Sequence, residues 1–272
     1  MGLTMPDKTI NGIRVHYVCA GKGAEPVVLV HGFTTTHAMW YRQIPALAAA
    51  GYRAVAYDVR SHGDTERAGE GCDIKTLVAD LLALMDSLEI DRAHIAGLSM
   101  GGIIGQRFCL DHPERAISLT ASDTFPGRPD QNTLLIFDEH VEIVRRDGLG
   151  GLFDHLLEHP ALPVGPDFQV PIEAMDTFRD NFMKNDAYSL ARFVEMFRTL
   201  PDWTEELHKL DMPVLLIAGS LDWPCMAPMQ RMHAALPDSE FHIIDRAGHS
   251  SAIEKADEWN ELFFGFLEKH KR

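Results

Sequence analysis

Residues 94–102 read HIAGLSMGG, and this stretch decides the fold of the chain. Glycines surround the single Ser99, yet Ile95, Leu98 and Met100 make the run too apolar for a flexible linker. Glycine weakens a strand because it has no side chain to pack, so a strand cannot continue through the whole stretch. The stretch therefore predicts a sharp corner around Ser99, where a buried strand ends and a helix begins.

Strand and helix signals alternate along much of the chain. Apolar runs that predict buried strands lie at 26–32, 52–59, 93–97, 116–122, 213–219 and 240–245. Helical stretches lie at about 36–50, 73–89, 100–112, 226–236 and 253–269. Asn11 and Gly12 stand between two short alternating segments, which predicts a hairpin over 8–18. The alternation predicts an α/β fold with a mostly parallel central sheet and helices on both faces.

The region from 125 to 210 breaks this alternation, because it contains no buried-strand run. Its helical pieces lie at 134–146, 150–159, 172–186 and 188–200. We predict a single domain with a core of residues 1–124 and 211–272. A helical lid, residues 125–210, is inserted between two strands of the sheet.

Composition limits the classes of function. The chain has 272 residues and a net charge of −15, from 25 Lys+Arg against 40 Asp+Glu, which argues against sequence-independent nucleic-acid binding. It shows no membrane-spanning apolar run and no secretory signal, so we expect a cytoplasmic protein that binds neither nucleic acid nor membrane. The four cysteines form no CxxC pair, and HExxH, P-loop and GxGxxG motifs are missing from the sequence. We therefore expect reduced thiols, no metal, no cofactor and a small-molecule substrate.

Three residues suit nucleophilic catalysis. Ser99 lies in a G-x-S-x-G motif between a predicted strand and a predicted helix, the setting of a nucleophile elbow, although a plain strand–helix turn would look similar. A serine needs a base, and His249 follows the last predicted strand. The base needs an acid, and Asp222 follows the strand before it. Asp123, after the strand at 116–122, is an alternative position for that acid.

Other residues would bind the reacting carbonyl and the substrate. An oxyanion needs N–H donors, and we predict the backbone amides of Phe33, in the sequence HGF, and Met100, directly after Ser99. His37, Trp40 and Trp223 are candidate substrate contacts, and plain packing is the alternative for each.

These motifs together resemble the α/β-hydrolase family. The resemblance covers nearly the whole chain and rests on HGF (31–33), YDVRSHGDT (57–65), GLSMGG (97–102), GSLD (219–222) and AGHSS (247–251). It implies the α/β-hydrolase fold, a lid at 125–210 and the branch of the family with a serine nucleophile. Two departures lie outside the predicted triad: RSHGDT, where many members have R-G-x-G-x-S, and Ala256, where proline is usual. The stretch 96–124 is most similar to 3-oxoadipate enol-lactonases and related esterases.

The sequence thus predicts a serine hydrolase that cleaves a small carboxylic ester or an enol-lactone-like lactone through an acyl-enzyme. The alternatives are a C–C bond hydrolase of diketone or ring-cleavage products, an acyltransferase, and a small-molecule receptor that retains the triad. The charge of the substrate stays open at this point. Arg179, Arg192 and Arg198 of the predicted lid have apolar neighbours, so one of them could face an anionic substrate.

Overall fold

The computed structural model describes residue 4 and residues 6–68, 71–169 and 175–271. Within these residues the strands are β1 (Asp7–Ile10), β2 (Ile13–Ala20), β3 (Pro26–Val30), β4 (Arg53–Tyr57), β5 (Ala93–Leu98), β6 (Ala116–Ser122), β7 (Val214–Gly219) and β8 (Ser239–Ile244). They form one sheet in the order β1-β2-β4-β3-β5-β6-β7-β8. From β4 to β8 all neighbours are parallel, and β1 and β2 are antiparallel additions at one edge. The predicted mostly parallel sheet is confirmed.

Helices follow most of these strands. They are α1 (Gln43–Ala49), α2 (Ile74–Ser87), α3 (Met100–Asp111), α4 (Gln131–Glu158), α5 (Met175–Met183), α6 (Ala187–Thr199), α7 (Trp223–Ala235), α8 (Ser251–Glu254) and α9 (Ala256–Lys269). Short 3₁₀ helices lie at His37–Trp40, Pro113–Arg115 and Thr204–Lys209. In the described part of the chain, none of the helices combines the length and the apolar character that crossing a membrane would need.

Local sequence explains where several elements begin and end. Asp73 caps α2 by accepting a hydrogen bond from the Thr76 N–H. The β1–β2 hairpin turns through Asn11 and Gly12, which both have positive φ angles, as an Asn-Gly hairpin turn requires. Strand β5 lies between β3 and β6 with helices on both faces, so all its residues are buried and its sequence does not alternate.

Three predicted elements differ from the structure. The predicted helix over 36–50 is a 3₁₀ turn, capped by the Thr36 side chain, followed by the separate helix α1. The predicted helix over 253–269 is two helices, because the backbone at Lys255 is not helical. Strand β8 is the last strand of the sheet, so most of its residues are only partly buried and the prediction of a fully buried strand there is wrong.

The region between β6 and β7 contains α4, α5 and α6. The predicted pieces at 134–146 and 150–159 both belong to α4, which is broken at Gly148, where φ is 72°. Residues 172–174 of the predicted helix 172–186 lie outside the described residues, and α5 begins at Met175.

Two apolar clusters cover the two faces of the sheet. One includes Leu81 of α2 and Phe108 of α3, and it extends to Phe193 of α6. The other includes Trp40 and Trp259, whose ring centroids lie 5.7 Å apart beneath α9. The sheet is thus buried on both sides, and the carboxyl ends of its parallel strands share one edge, where open α/β sheets place their ligands.

Candidate active site

Ser99 lies at the corner between β5 and α3. Its φ and ψ angles are 55° and −116°, a strained region that costs a non-glycine residue about 1–3 kcal/mol. The Ser99 N–H donates to the Ser122 carbonyl at 2.9 Å, and the Thr124 hydroxyl donates to the Ser99 carbonyl at 2.7 Å. These bonds to the end of β6 hold the strained residue in place.

The glycines beside Ser99 are required by close backbone contacts. A Cβ atom at Gly97 would lie 2.2 Å from the carbonyl of Gly101, and one at Gly101 would lie 2.0 Å from the Val30 carbonyl oxygen. Real Cβ atoms do not approach backbone this closely, so both positions exclude every larger residue. The G-x-S-x-G pattern is thus explained by the packing of α3 against β3 and β5.

His249 and Asp222 complete a line of hydrogen bonds that starts at Ser99. The His249 Nε2 atom lies 2.9 Å from Ser99 Oγ, and His249 Nδ1 lies 3.0 Å from Asp222 Oδ2. Asp222 is fully buried and His249 is 8% exposed. Since a carboxylate accepts from Nδ1–H, Nε2 carries the lone pair that faces the serine hydroxyl.

Two opposing effects act on the pKa of His249. Burial lowers it, but the charge of Asp222 and its hydrogen bond outweigh burial and leave the pKa above its usual value. Cys225, one turn into α7, is also buried here, with its Sγ atom 3.7 Å from His249 Nδ1. Burial and the neighbouring carboxylates raise the pKa of the Cys225 thiol, so it is neutral beside the imidazole.

The loop that carries His249 is held by groups that sequence reasoning missed. The carboxylate of Glu254 accepts from the Gly248 N–H at 2.7 Å and from the Ser250 N–H at 3.1 Å, so it holds the backbone on both sides of the histidine. It also accepts from the Gly165 N–H at 2.7 Å, and the His249 N–H donates to the Pro163 carbonyl at 2.7 Å. The loop is therefore fixed to the predicted lid as well as to α8, although no motif marks Glu254.

Asp123 lies under the same loop but does not reach the imidazole. Its carboxyl group accepts from the Gly219 N–H at 2.9 Å and from the Ser251 N–H at 3.3 Å, and it also bonds the Ser251 hydroxyl. Burial and then the nearby Asp222 charge raise the pKa of Asp123 well above its usual value. Asp123 thus joins β7 to α8, and the structure offers it no direct contact with Nδ1 of His249.

The loop after β3 brings Phe33 to the other side of Ser99. A Cβ atom at Gly32 would lie 3.6 Å from the Ser99 Cβ, so the backbone that precedes Phe33 passes next to the serine. Met100 is the first residue of α3, where an N–H has no partner inside the helix. The Phe33 N–H likewise donates to no acceptor among the described residues. Both predicted donors are therefore available to a ligand.

Side chains from both sides fix this loop. His31 Nδ1–H donates to the Gly32 carbonyl at 2.7 Å, while its Nε2 accepts from the Val59 N–H at 2.9 Å. Burial lowers the pKa of His31 to about 4, so the ring is neutral at neutral pH. The Asn185 amide donates to the Thr34 carbonyl at 2.8 Å, which connects the loop to the start of α6. His31 belongs to the HGF motif, whereas Asn185 has no sequence signal of its own.

The predicted substrate contacts lie elsewhere. Trp40 is fully buried against Trp259 in the sheet core, and His37 is buried with its Nδ1 atom 2.8 Å from Asp58 Oδ1. Trp223, at the start of α7, is 60% exposed. None of the three lines the cavity of about 520 Å³ that opens between the loop after β3 and α5. Two of the three are packed in the protein interior and the third is largely exposed, and substrate contact by these residues stays a prediction.

Two groups of buried side chains place potential metal-ligand atoms close together. One is the group Asp222, Cys225 and His249, and the other is His16, His37 and Asp58. In both groups a hydrogen bond between a histidine and a carboxylate already joins two of these atoms.

The fold and this arrangement define a class of protein. A family model described as the alpha/beta hydrolase fold matches residues 25–256. The chain belongs to this family, as the sequence resemblance predicted.

Individual relatives indicate which activities are named among proteins similar to this chain. A 2-hydroxy-6-oxononadienedioate/2-hydroxy-6-oxononatrienedioate hydrolase of Paraburkholderia phymatum is 30% identical in an alignment of 268 positions that covers 94% of this chain and 91% of that protein. The 3-oxoadipate enol-lactonase 1 of Acinetobacter baylyi is 27% identical in an alignment of 254 positions that covers 90% of each chain. The crystal structure of the enol-lactonase from Burkholderia xenovorans superposes with a TM-score of 0.82 at 27% identity, over 97% of this chain and 100% of that one. Both lactone and C–C bond hydrolases are thus among the relatives of this chain.

Proposed function

We propose that this protein is a serine hydrolase that cleaves a carboxylic ester or a lactone through an acyl-enzyme. The observation that carries the proposal is the unbroken line of hydrogen bonds from Asp222 through His249 to Ser99. Serine hydroxyls are weak nucleophiles, and this line supplies the base and the orienting acid that activate one.

The proposed reaction has two halves. Ser99 Oγ attacks the carbonyl carbon while His249 Nε2 takes the hydroxyl proton, and the imidazolium then protonates the leaving alcohol or enol. Water, deprotonated by the same nitrogen, releases the acid from Ser99. Asp222 stays ionised throughout, holds the imidazole with Nδ1 protonated and stabilises the imidazolium.

The negative charge that develops on the carbonyl oxygen needs fixed donors. We assign that role to the backbone N–H groups of Phe33 and Met100, which border Ser99 and lack other acceptors among the described residues. Donors already in place cost no reorganisation during the reaction, and the loss of one such donor typically lowers kcat by about 10²–10³-fold.

The test combines covalent labelling with a substrate panel. A fluorophosphonate probe should modify wild-type protein at Ser99 alone, and Ser99→Ala should lose both labelling and turnover, with kcat lower by about 10⁴–10⁶-fold. Ser250→Ala is the matched control, because this neighbouring serine caps no N–H of α8 with its side chain and should keep full activity. Labelling at another residue, or esterase activity that survives Ser99→Ala, would reject the proposal.

C–C bond hydrolysis is the second candidate, because a relative that is 30% identical to this chain is named as the hydrolase of an oxo-dioate, a compound with no ester or lactone bond to cleave. Its named substrates are dioates, which carry two carboxylates. The substrate panel therefore includes β-diketones and vinylogous diketones, with both products identified. Turnover of these compounds without ester or lactone cleavage would favour the second candidate over the first.

A further inference from the structure

A cavity of about 520 Å³ opens between α5 and the loop after β3, the loop that carries Phe33. Met39 lines it, and the Met39 sulfur accepts from the N–H of Gly32, the residue that passes beside Ser99. Ile253, four residues after His249, lines the other side. The cavity thus borders the loop after β3, which carries Phe33, and helix α8, which follows His249 in the chain. Its volume lies in the range of small-molecule sites.

The walls of this cavity are mainly apolar. Phe153 of α4, Phe178 and Phe182 of α5, and Phe168 supply aromatic surface. No Lys, Arg, His, Asp or Glu is among the described residues that line it.

The polar groups of the wall are neutral, and most of them already have partners. The Thr34 hydroxyl donates to the Phe33 carbonyl, the Thr35 hydroxyl donates to the Gly32 carbonyl, and Thr36 caps the 3₁₀ turn. The hydroxyls of Thr177 and Tyr41 and the amide of Asn181 remain, and these suit an ester or ether oxygen. None of these neutral groups supplies the cation that would offset the cost of burying a carboxylate.

Three arginines of the predicted lid contact other side chains and do not line the cavity. Arg179 bonds Asp154 at 3.0 Å, and its guanidinium lies over the Phe153 ring. Arg198 pairs with Asp138 and Glu195, and Arg192 stacks on the Tyr188 ring. The sequence left open whether one of these three arginines faces a substrate, and in the structure none of them lines the cavity.

We infer that the substrate carries an uncharged, bulky apolar substituent, aromatic or medium-chain alkyl, which this cavity binds, and that it carries no carboxylate there. The inference rests on the proposed function and names its substrate class. It separates this chain from relatives whose names specify substrates that carry one or two free carboxylates. Burial of an apolar group contributes roughly 0.8 kcal/mol per CH₂, so each added methylene should raise kcat/KM by about three- to fourfold until the cavity is full.

Two series of esters test the inference. In the acyl series, phenyl acetate, phenyl hexanoate and the phenyl monoester of adipic acid share one leaving group. In the alcohol series, ethyl, hexyl and benzyl acetate share one acyl group. We expect kcat/KM to rise with apolar size in one series, which identifies the part of the ester in the cavity. If the acyl series is the one that rises, we expect the hexanoate to exceed the adipate monoester by at least about 100-fold at both low and high salt.

Variants connect the preference to the cavity. Phe178→Ala should lower kcat/KM for the favoured long or aromatic ester by about tenfold or more and leave the short acetate unchanged. Leu157→Ala is the matched control, because this exposed residue of α4 lies outside the cavity and should change neither value. Equal values for short and long esters, a preferred adipate monoester, or a carboxylate preference that Arg179→Ala erases would overturn the inference.

A binding measurement separates failure of the inference from failure of the proposed function. Ser99→Ala is titrated by calorimetry with hexyl methyl ketone and with 7-oxooctanoate, its analogue with a terminal carboxylate. Tighter binding of the neutral ketone supports the apolar cavity even if no ester is hydrolysed. Tighter binding of the carboxylate overturns the inference even if Ser99 proves to be the nucleophile.

Discussion

Asp222 and Asp123 are both fully buried near His249, so replacing each by asparagine compares two nearly isosteric changes. In Asp222→Asn, the amide group can present its NH₂ to His249 Nδ1, which then becomes the unprotonated nitrogen. Nε2 would carry the proton and could no longer accept one from Ser99. Loss of the correct tautomer costs about 10⁴-fold in kcat, or about 5.4 kcal/mol of transition-state stabilisation.

If the asparagine instead presents its oxygen, the tautomer survives but the charge is lost. A hydrogen bond to a charged group contributes about 1.5–3 kcal/mol, so the smallest loss we expect is about 10–150-fold. Asp222→Asn should therefore lower kcat by roughly 10–10⁴-fold, from the smallest effect of losing the charge alone to the full tautomer effect.

Asp123→Asn should be far milder. The asparagine oxygen can still accept from the Gly219 N–H. The hydroxyls of Ser251 and Ser122 donate to Asp123 Oδ2, and they can rotate to accept from the NH₂ that replaces this oxygen. Only the 3.3 Å bond from the Ser251 N–H is lost, at a cost near 1 kcal/mol, so activity should fall less than about tenfold.

The assay is kcat and kcat/KM for one ester at pH 7, with the active-site concentration of each variant set by fluorophosphonate titration. The melting temperature of each variant checks that the fold is retained. A larger loss in Asp123→Asn than in Asp222→Asn would assign the acid to Asp123 and refute the reasoning. Full activity in Asp222→Asn would remove the carboxylate from the proposed mechanism altogether.

Three further outcomes follow from the hydrogen bonds and burial of single residues. Glu254→Ala should lower kcat by roughly 10–10²-fold, because two N–H groups beside His249 lose their acceptor and the imidazole is less well positioned. Fluorophosphonate labelling should persist, and unchanged kinetics would exclude a role of Glu254 in positioning His249. The kcat/KM value should rise with pH as the free-enzyme His249 loses its proton, with a midpoint above 6.5, and a fall across neutral pH would contradict a histidine base. His31 and His62 are buried and their pKa values are lowered to about 4 and about 3, so between pH 6.5 and 4 the unfolded chain binds more protons than the native one. Stability should therefore fall on acidification by up to about 1.4 kcal/mol per pH unit for each histidine, measured by urea unfolding, and His62→Gln should reduce that slope.

The sequence by itself determined the sheet and the places where chemistry could occur. Buried strands such as β5 appear as continuous apolar runs, because a strand covered on both faces has no polar side. The glycines around Ser99 are required because close backbone contacts leave no room for a Cβ atom, so the corner can be predicted from residues that are adjacent in the sequence. Ser99, Asp222 and His249 each follow a strand, and the ends of parallel strands meet at one edge. For this reason the sequence selected three residues that the structure brings within hydrogen-bonding distance.

Only the tertiary structure decided between residues with similar local signals. Asp123 and Asp222 both follow buried strands, and what separates them is which carboxylate oxygen lies 3.0 Å from His249 Nδ1. The sequence offers Trp40 and Trp223 equally as substrate contacts, yet Trp40 is fully buried beside Trp259 and Trp223 is 60% exposed. The apolar cavity combines walls from the loop after β3, from α4, α5 and α8, and from Phe168, which are far apart in the chain. Burial, pairing of charges and the shape of a cavity depend on such distant partners, and the spacing of residues in a sequence does not record them.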